Sequence, residues 1–122
     1  MRSVGVALLG LGTVGSGVAK LLLEHGDRIS RRVGLNLELK HVLVRDTGKT
    51  RGAIVPIMLL NTDMEKICRD PSVQIAVEVC GGVHPTRDIL LQLLDAGKDI
   101  VTANKALLAE CGPEIFDRAH QL

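Results

Sequence analysis

Residues 3 to 18 read Ser-Val-Gly-Val-Ala-Leu-Leu-Gly-Leu-Gly-Thr-Val-Gly-Ser-Gly-Val, an apolar run that breaks into glycines and then resumes with helical spacing. The pattern is a strand, a tight turn and a helix that starts near Thr13. Gly10, Gly12 and Gly15 fit G-x-G-x-x-G. In that motif the first glycine makes the turn, the second lets backbone approach a pyrophosphate, and the third permits close helix-strand packing. A helix beginning there aims its unpaired N–H groups and positive dipole end at a phosphate. Glycine turns of this kind also arise for purely structural reasons, so the rest of the chain has to decide the reading.

Downstream, Val14, Val18, Leu21, Leu22 and Ile29 recur at helical intervals and predict a first helix from about Val14 to Arg32, which Gly26 bends or ends early. Leu35 to Arg45 reads as a second strand, and the glycine-containing stretch Asp46 to Ala53 as a loop. Ile54 to Leu60, interrupted by Pro56, is a short or edge third strand. Thr62 to Glu65 fits a capping box, with Thr62 as N-cap of a short helix that stops before Asp70-Pro71. Val73 to Cys80 forms the fourth strand and ends in Gly81-Gly82. Pro85 then opens a helix with Ile89, Leu90, Leu93 and Leu94 on its apolar face, closed by Gly97. Asp99 to Thr102 is the fifth strand. Ala103 to Ala109 reads as a turn or short helix, and Pro113 as the first residue of a last helix to about Gln121, with Ile115, Ala119 and Phe116 inward.

Strands alternating with helices predict an α/β fold, a Rossmann-type doubly wound parallel sheet of order 3-2-1-4-5 with helices on both faces. Ligands of such sheets bind outside the carboxyl ends of the strands at the switch point, here between strands one and four. That rule gathers Gly10 to Gly15, Arg45 to Lys49, Gly81-Gly82 and Thr102 to Lys105 on one rim. Their convergence, more than the glycine motif, points to a dinucleotide. The acidic residue after strand two ordinarily follows the last glycine by about twenty positions. Asp46 lies 31 positions past Gly15, behind Arg45. Arg45 and Lys49 are cations suited to a 2′-phosphate and favour NADP, with NAD possible.

Composition narrows the class. The 122 residues make one domain with an aliphatic core, and a formal charge of +1 without a basic run gives no polyanion-binding surface. One Phe and no Tyr or Trp leave almost nothing for stacking bases, so no nucleic acid is expected. Cys68, Cys80 and Cys111 fit neither a disulfide framework nor a zinc pattern, and His25, His41, His84 and His120 lack metal spacing. No metal, no membrane span and a cytoplasmic setting are expected. Cys80 is disfavoured as a nucleophile because it ends an apolar strand. Glu78, among valines in strand four, is open between a rim hydrogen bond and a structural role.

Gly-Leu-Gly-Thr-Val-Gly at 10 to 15, Val-Arg-Asp at 44 to 46, Thr-Asp at 62 to 63, Val-Glu-Val-Cys-Gly-Gly at 77 to 82 and Val-Thr-Ala-Asn-Lys-Ala-Leu-Leu-Ala at 101 to 109 together resemble homoserine dehydrogenase. The resemblance covers the whole chain but only the nucleotide-binding part of that family. It implies an NAD(P)-dependent oxidoreductase of threonine and methionine biosynthesis that interconverts aspartate semialdehyde and homoserine. It also implies that the region holding the substrate, the dimer contacts and the main proton-donating lysine lies outside residues 1 to 122. Lys105 matches the family lysine near the nicotinamide ribose and the substrate, the one catalytic candidate here. The implied cofactor contacts are Gly10, Leu11, Gly12, Thr13, Val14, Gly15, Arg45, Asp46, Lys49, Cys80, Gly81, Gly82, Thr102, Ala103, Asn104 and Lys105. By this reading the chain alone turns over no substrate, and the full-length form is a homo-oligomer. Two other readings share the fold: an NAD(P)(H)-sensing module without chemistry, and a related amino-acid or semialdehyde dehydrogenase.

Overall fold

The computed structural model describes residues 2–45, 55–80, 86–102 and 104–121. Chain order is β1 (Ser3–Leu9), α1 (Thr13–Glu24), α2 (Gly26–Val33), β2 (Asn36–Leu43), a 3₁₀ turn (Ile57–Leu59), β3 (Leu60–Asn61), α3 (Met64–Arg69), β4 (Val73–Glu78), α4 (Thr86–Asp95), β5 (Asp99–Thr102) and α5 (Lys105–Gln121). The strands form one sheet, β3-β2-β1-β4-β5, in which every neighbouring pair is parallel. This is the Rossmann-type order expected from the sequence.

Side-chain alternation along β1 explains why both faces need cover. Ala7 and Leu9 join a core with α3, α4 and α5, through Ile67, Leu90, Leu93, Leu94, Leu107, Cys111 and Ile115. Leu8 turns the other way, onto Ala19 and Val18 of α1 and Val42 and Leu39 of β2. Val101 shares that second face through its pairing with Val77, yet it is 55% exposed, because α1 sits over β1 and β2 rather than over the β5 edge. No helix among the described residues is long and apolar enough to cross a membrane.

Several boundaries differ from the sequence reading. The first helix is two helices meeting at His25, whose N–H still reaches Leu21 O at 3.0 Å, so the break falls beside Gly26, where the sequence predicts a bend or an early end. The second strand spans Asn36–Leu43, shorter than Leu35 to Arg45. The third strand shrinks to Leu60–Asn61, because Pro56 opens the 3₁₀ turn instead, accepting from Leu59 N at 3.0 Å; Ile54 lies outside the described residues. The cap of α3 is Asp63 and not Thr62: Asp63 Oδ1 accepts from Glu65 N at 3.0 Å, while Asn61 Oδ1 holds Asp63 N at 3.1 Å and shifts the start by one residue. Gly97, at φ +82°, follows α4 as expected, and Leu91 joins the buried face.

At the carboxyl terminus, Lys105–Gln121 is one helix with Pro113 inside it, not a short helix followed by another. Leu107, Cys111 and Ile115, four residues apart, are buried against α4 and keep the two halves in line. Pro113 and Ala109 are both exposed, so the carbonyl that loses its helical partner faces water. Phe116 and Ala119 are exposed as well, contrary to the inward placement expected of them.

Two ionisable side chains fasten the opposite, amino-terminal edge. Lys98 is buried, and its Nζ donates to Asp70 O at 2.7 Å and Val73 O at 2.8 Å, tying β5 to the turn before β4. Asp70 accepts from Ser72 Oγ at 2.6 Å and Ser72 N at 2.9 Å, and from His41 Nε2 at 2.8 Å. The Ser72 hydroxyl first, and then His41, lower the Asp70 carboxyl to about 2. A carboxylate whose folded pKa is depressed stabilises the fold fully above its unfolded value near 4, and that contribution is lost as pH falls toward 2. Asp70→Asn therefore costs about 1 to 2 kcal/mol at pH 7 and removes this part of the acid limb, as urea unfolding between pH 7 and 2 will measure.

Candidate functional site

At the carboxyl end of β1 the chain makes three close approaches. Gly10 has φ +101°, and its N–H donates to Leu43 O at 2.9 Å, tying the turn to the end of β2. A Cβ on Gly10 would lie 2.9 Å from Cys80 Cα, and one on Gly15 would lie 2.4 Å from Gly10 O. These two glycines are required by the fold itself. Gly12 is different: it is the N-cap of α1 at φ −84°, and among the described residues a Cβ built there meets nothing within 4 Å. Among the described residues neither dihedral nor packing asks for glycine at that position, which stands open beside the helix start.

The first turn of α1 borders the same space. Its first bond is Ser16 N to Gly12 O at 2.8 Å, so the N–H groups of Thr13, Val14 and Gly15 have no acceptor within the helix. Its N-cap, a glycine, has no side chain to cap the helix, and no acidic residue stands in its first turn. The end of the helix is left positive and open, suited to an anion. Thr13 and Val14 are exposed beside it, whereas Leu11 is half-buried and packs against the core of this face. Arg45 is exposed just past β2, and Asp46 and Lys49 lie outside the described residues.

Across the switch point, the ends of β4 and β5 are joined by polar bonds. Glu78 is 2% exposed; Oε1 accepts from Thr102 Oγ1 at 2.6 Å and Oε2 from Cys80 N at 2.9 Å. That second bond ends β4 at Glu78 instead of Cys80, because it takes the N–H that would extend the strand. Asn104 N donates to Thr102 Oγ1 at 3.1 Å, and Asn104 Oδ1 accepts from Leu107 N at 3.1 Å, capping α5. Lys105 follows, exposed, as the first helical residue. Gly81, Gly82 and Ala103 fall outside the described residues. The Cys80 sulfur sits 3.4 Å from Glu78 Oε2 and 3.6 Å from Thr86 Oγ1, and burial pushes its pKa up. A thiol held in that state is a poor nucleophile at neutral pH. Of the two roles the sequence leaves open for Glu78, the structure shows the rim hydrogen bond; its partners Thr102 and Cys80 are what the sequence does not indicate, a lone acid between valines before Gly81-Gly82 being the local signal.

The family model described as homoserine dehydrogenase, NAD binding domain, matches residues 10–122. The chain belongs to this family. The homoserine dehydrogenase of Bacillus subtilis is 41% identical to it over 121 residues, which are 99% of this chain and 28% of that protein. The Corynebacterium glutamicum homoserine dehydrogenase is 44% identical over 117 residues, 96% of this chain and 26% of that protein. Among solved structures, S. aureus homoserine dehydrogenase at pH 6.0 superposes with a TM-score of 0.88 at 42% identity, covering 99% of this chain and 31% of that one. A hyperthermophilic archaeal homoserine dehydrogenase in complex with NADPH shares the fold, at a TM-score of 0.75 and 20% identity. The chain thus spans about a quarter to a third of the homoserine dehydrogenases it matches, and the open helix end and the Glu78 network both lie within the matched NAD-binding part.

Proposed function

We propose that this chain, residues 1 to 122, is the NAD(P)-binding domain of a cytoplasmic, homo-oligomeric homoserine dehydrogenase that reduces aspartate semialdehyde to homoserine. The observation that carries the reading is Gly12, a helix N-cap without steric or dihedral need for glycine, set beside three N–H groups that lack helical acceptors. That space fits a pyrophosphate, held by the amides of Thr13, Val14 and Gly15 and by the helix dipole. Arg45, with Asp46 and Lys49, would then face the adenosine ribose. A guanidinium there suits a 2′-phosphate and favours NADP, while Asp46 would accept the ribose hydroxyls of NAD. Cys80, Gly81, Gly82, Thr102, Ala103, Asn104 and Lys105 would line the nicotinamide half.

The bound dinucleotide supplies hydride at its nicotinamide ring. Lys105, on an exposed helix start, would hold polar groups of the nicotinamide ribose and the substrate and offset negative charge growing on the aldehyde oxygen. On this reading the substrate-holding residues and the principal proton donor would lie in the remainder of the relatives' length, so residues 1 to 122 alone should show no homoserine turnover; steady-state assay of the purified chain checks this. Cofactor choice has its own test. Because the chain has one Phe and no Trp or Tyr, NADPH and NADH fluorescence can be followed with almost no protein background. Arg45→Ala should weaken NADPH by roughly tenfold to a hundredfold, about 1.5 to 3 kcal/mol, with NADH little changed. Equal weakening of both cofactors, or of neither, would assign Arg45 to solvent.

A further inference from the structure

Glu78 is a buried acid at a place in the sheet that suits an apolar side chain. A valine would suit its place at the end of β4 without the cost of desolvating a carboxylate, and a buried ion is weak support for stability. What its two oxygens do is direct the backbone beyond two strands at once. Oε2 takes the Cys80 N–H, at the residue that leads into Gly81-Gly82. Oε1 takes the Thr102 hydroxyl proton at 2.6 Å and so holds Thr102 Oγ1 in place, where its lone pairs accept the Asn104 N–H at 3.1 Å. Asn104 Oδ1 then caps α5 through Leu107 N, and Lys105 begins the helix.

We propose that Glu78 is a positioning residue of the cofactor site: acting through Thr102 and Cys80, it sets the backbone of Asn104, Lys105 and Cys80 that meets the nicotinamide half of the dinucleotide. At 2% exposure it does not touch the ligand itself. The inference rests on the cofactor reading above and adds which side chain orders that half of the site. Its consequence is weighted to the nicotinamide half, because these hydrogen bonds join the ends of β4 and β5 to the start of α5, while the turn into α1, proposed above to hold the pyrophosphate, meets the network through the packing of Cys80 against Gly10.

The test titrates the 122-residue chain with two probes, NADPH and 2′,5′-ADP, which carries the adenosine half alone. Glu78→Gln keeps one acceptor oxygen but replaces the other with a donor, so it cannot accept from both Cys80 and Thr102. NADPH affinity should fall about tenfold while 2′,5′-ADP stays within about twofold. Thr102→Val, which breaks the relay should Glu78→Gln fold poorly, should do the same, and Thr102→Ser should restore NADPH binding. Loss of both probes alike in a folded variant, or no loss of NADPH, overturns the inference while leaving the cofactor reading intact. A wild-type chain that binds neither probe overturns the cofactor reading, and this inference with it.

Discussion

Gly15→Ala lowers the stability of this chain by about 3 kcal/mol, at the upper end of what one overpacked methyl costs. The added carbon would lie 2.4 Å from Gly10 O, 3.0 Å from Gly10 C and 3.2 Å from Val79 Cγ2. Two of those atoms are backbone, and Gly10 cannot yield: its φ of +101° and its N–H bond to Leu43 O hold it in place, with Cys80 against its other side. Relief would require α1 to lift off β1, which opens the core around Ala19 and Leu8. In a domain of this size the loss corresponds to a fall of about 10 °C in Tm, which calorimetry or a thermal melt followed by circular dichroism will measure.

Three residues away the expected result has the opposite sign for stability and a larger effect on binding. Gly12→Asp meets no steric obstacle among the described residues, none of which lies within 4 Å of a Cβ at that position. It also supplies the side-chain cap that α1 lacks, next to a first turn without acidic residues. Stability should hold or rise by about 0.5 to 1 kcal/mol. NADPH binding should weaken at least about a hundredfold, because a carboxylate would compete for the same N–H groups and repel the pyrophosphate. Parallel melts and fluorescence titrations separate the two effects. A variant that is both more stable and unable to bind would show that the glycine serves the ligand and not the fold.

The sheet order and the place of the rim were legible because both follow from patterns written locally. Glycine turns after β1 and α4, and apolar runs of strand length alternating with amphipathic ones, leave few parallel topologies open. Local patterns failed where a distant partner decides the outcome. Pro113 reads as a helix start, yet the stripe Leu107, Cys111 and Ile115 against α4 carries the helix through it. Thr62 and Asp63 are both good caps, and Asn61, by holding Asp63 N, selects between them. Lys98 looks like a solvated residue between Gly97 and Asp99, but its ammonium reaches two carbonyls at least 25 positions away. Glu78 is the same kind of case at the site: its meaning comes from Thr102 and Cys80, and only the pairing of β4 with β5 brings Thr102 to it.

The most direct test of a dinucleotide lying across the switch point is a map of backbone amide chemical shifts in the 122-residue chain as NADPH is added. The account predicts saturable shifts at Thr13, Val14 and Gly15, at Arg45, and at Asn104 and Lys105, with Asp70, Ser72 and Lys98 at the opposite edge unmoved. Shifts confined to that opposite edge, or none at saturating NADPH, would contradict it.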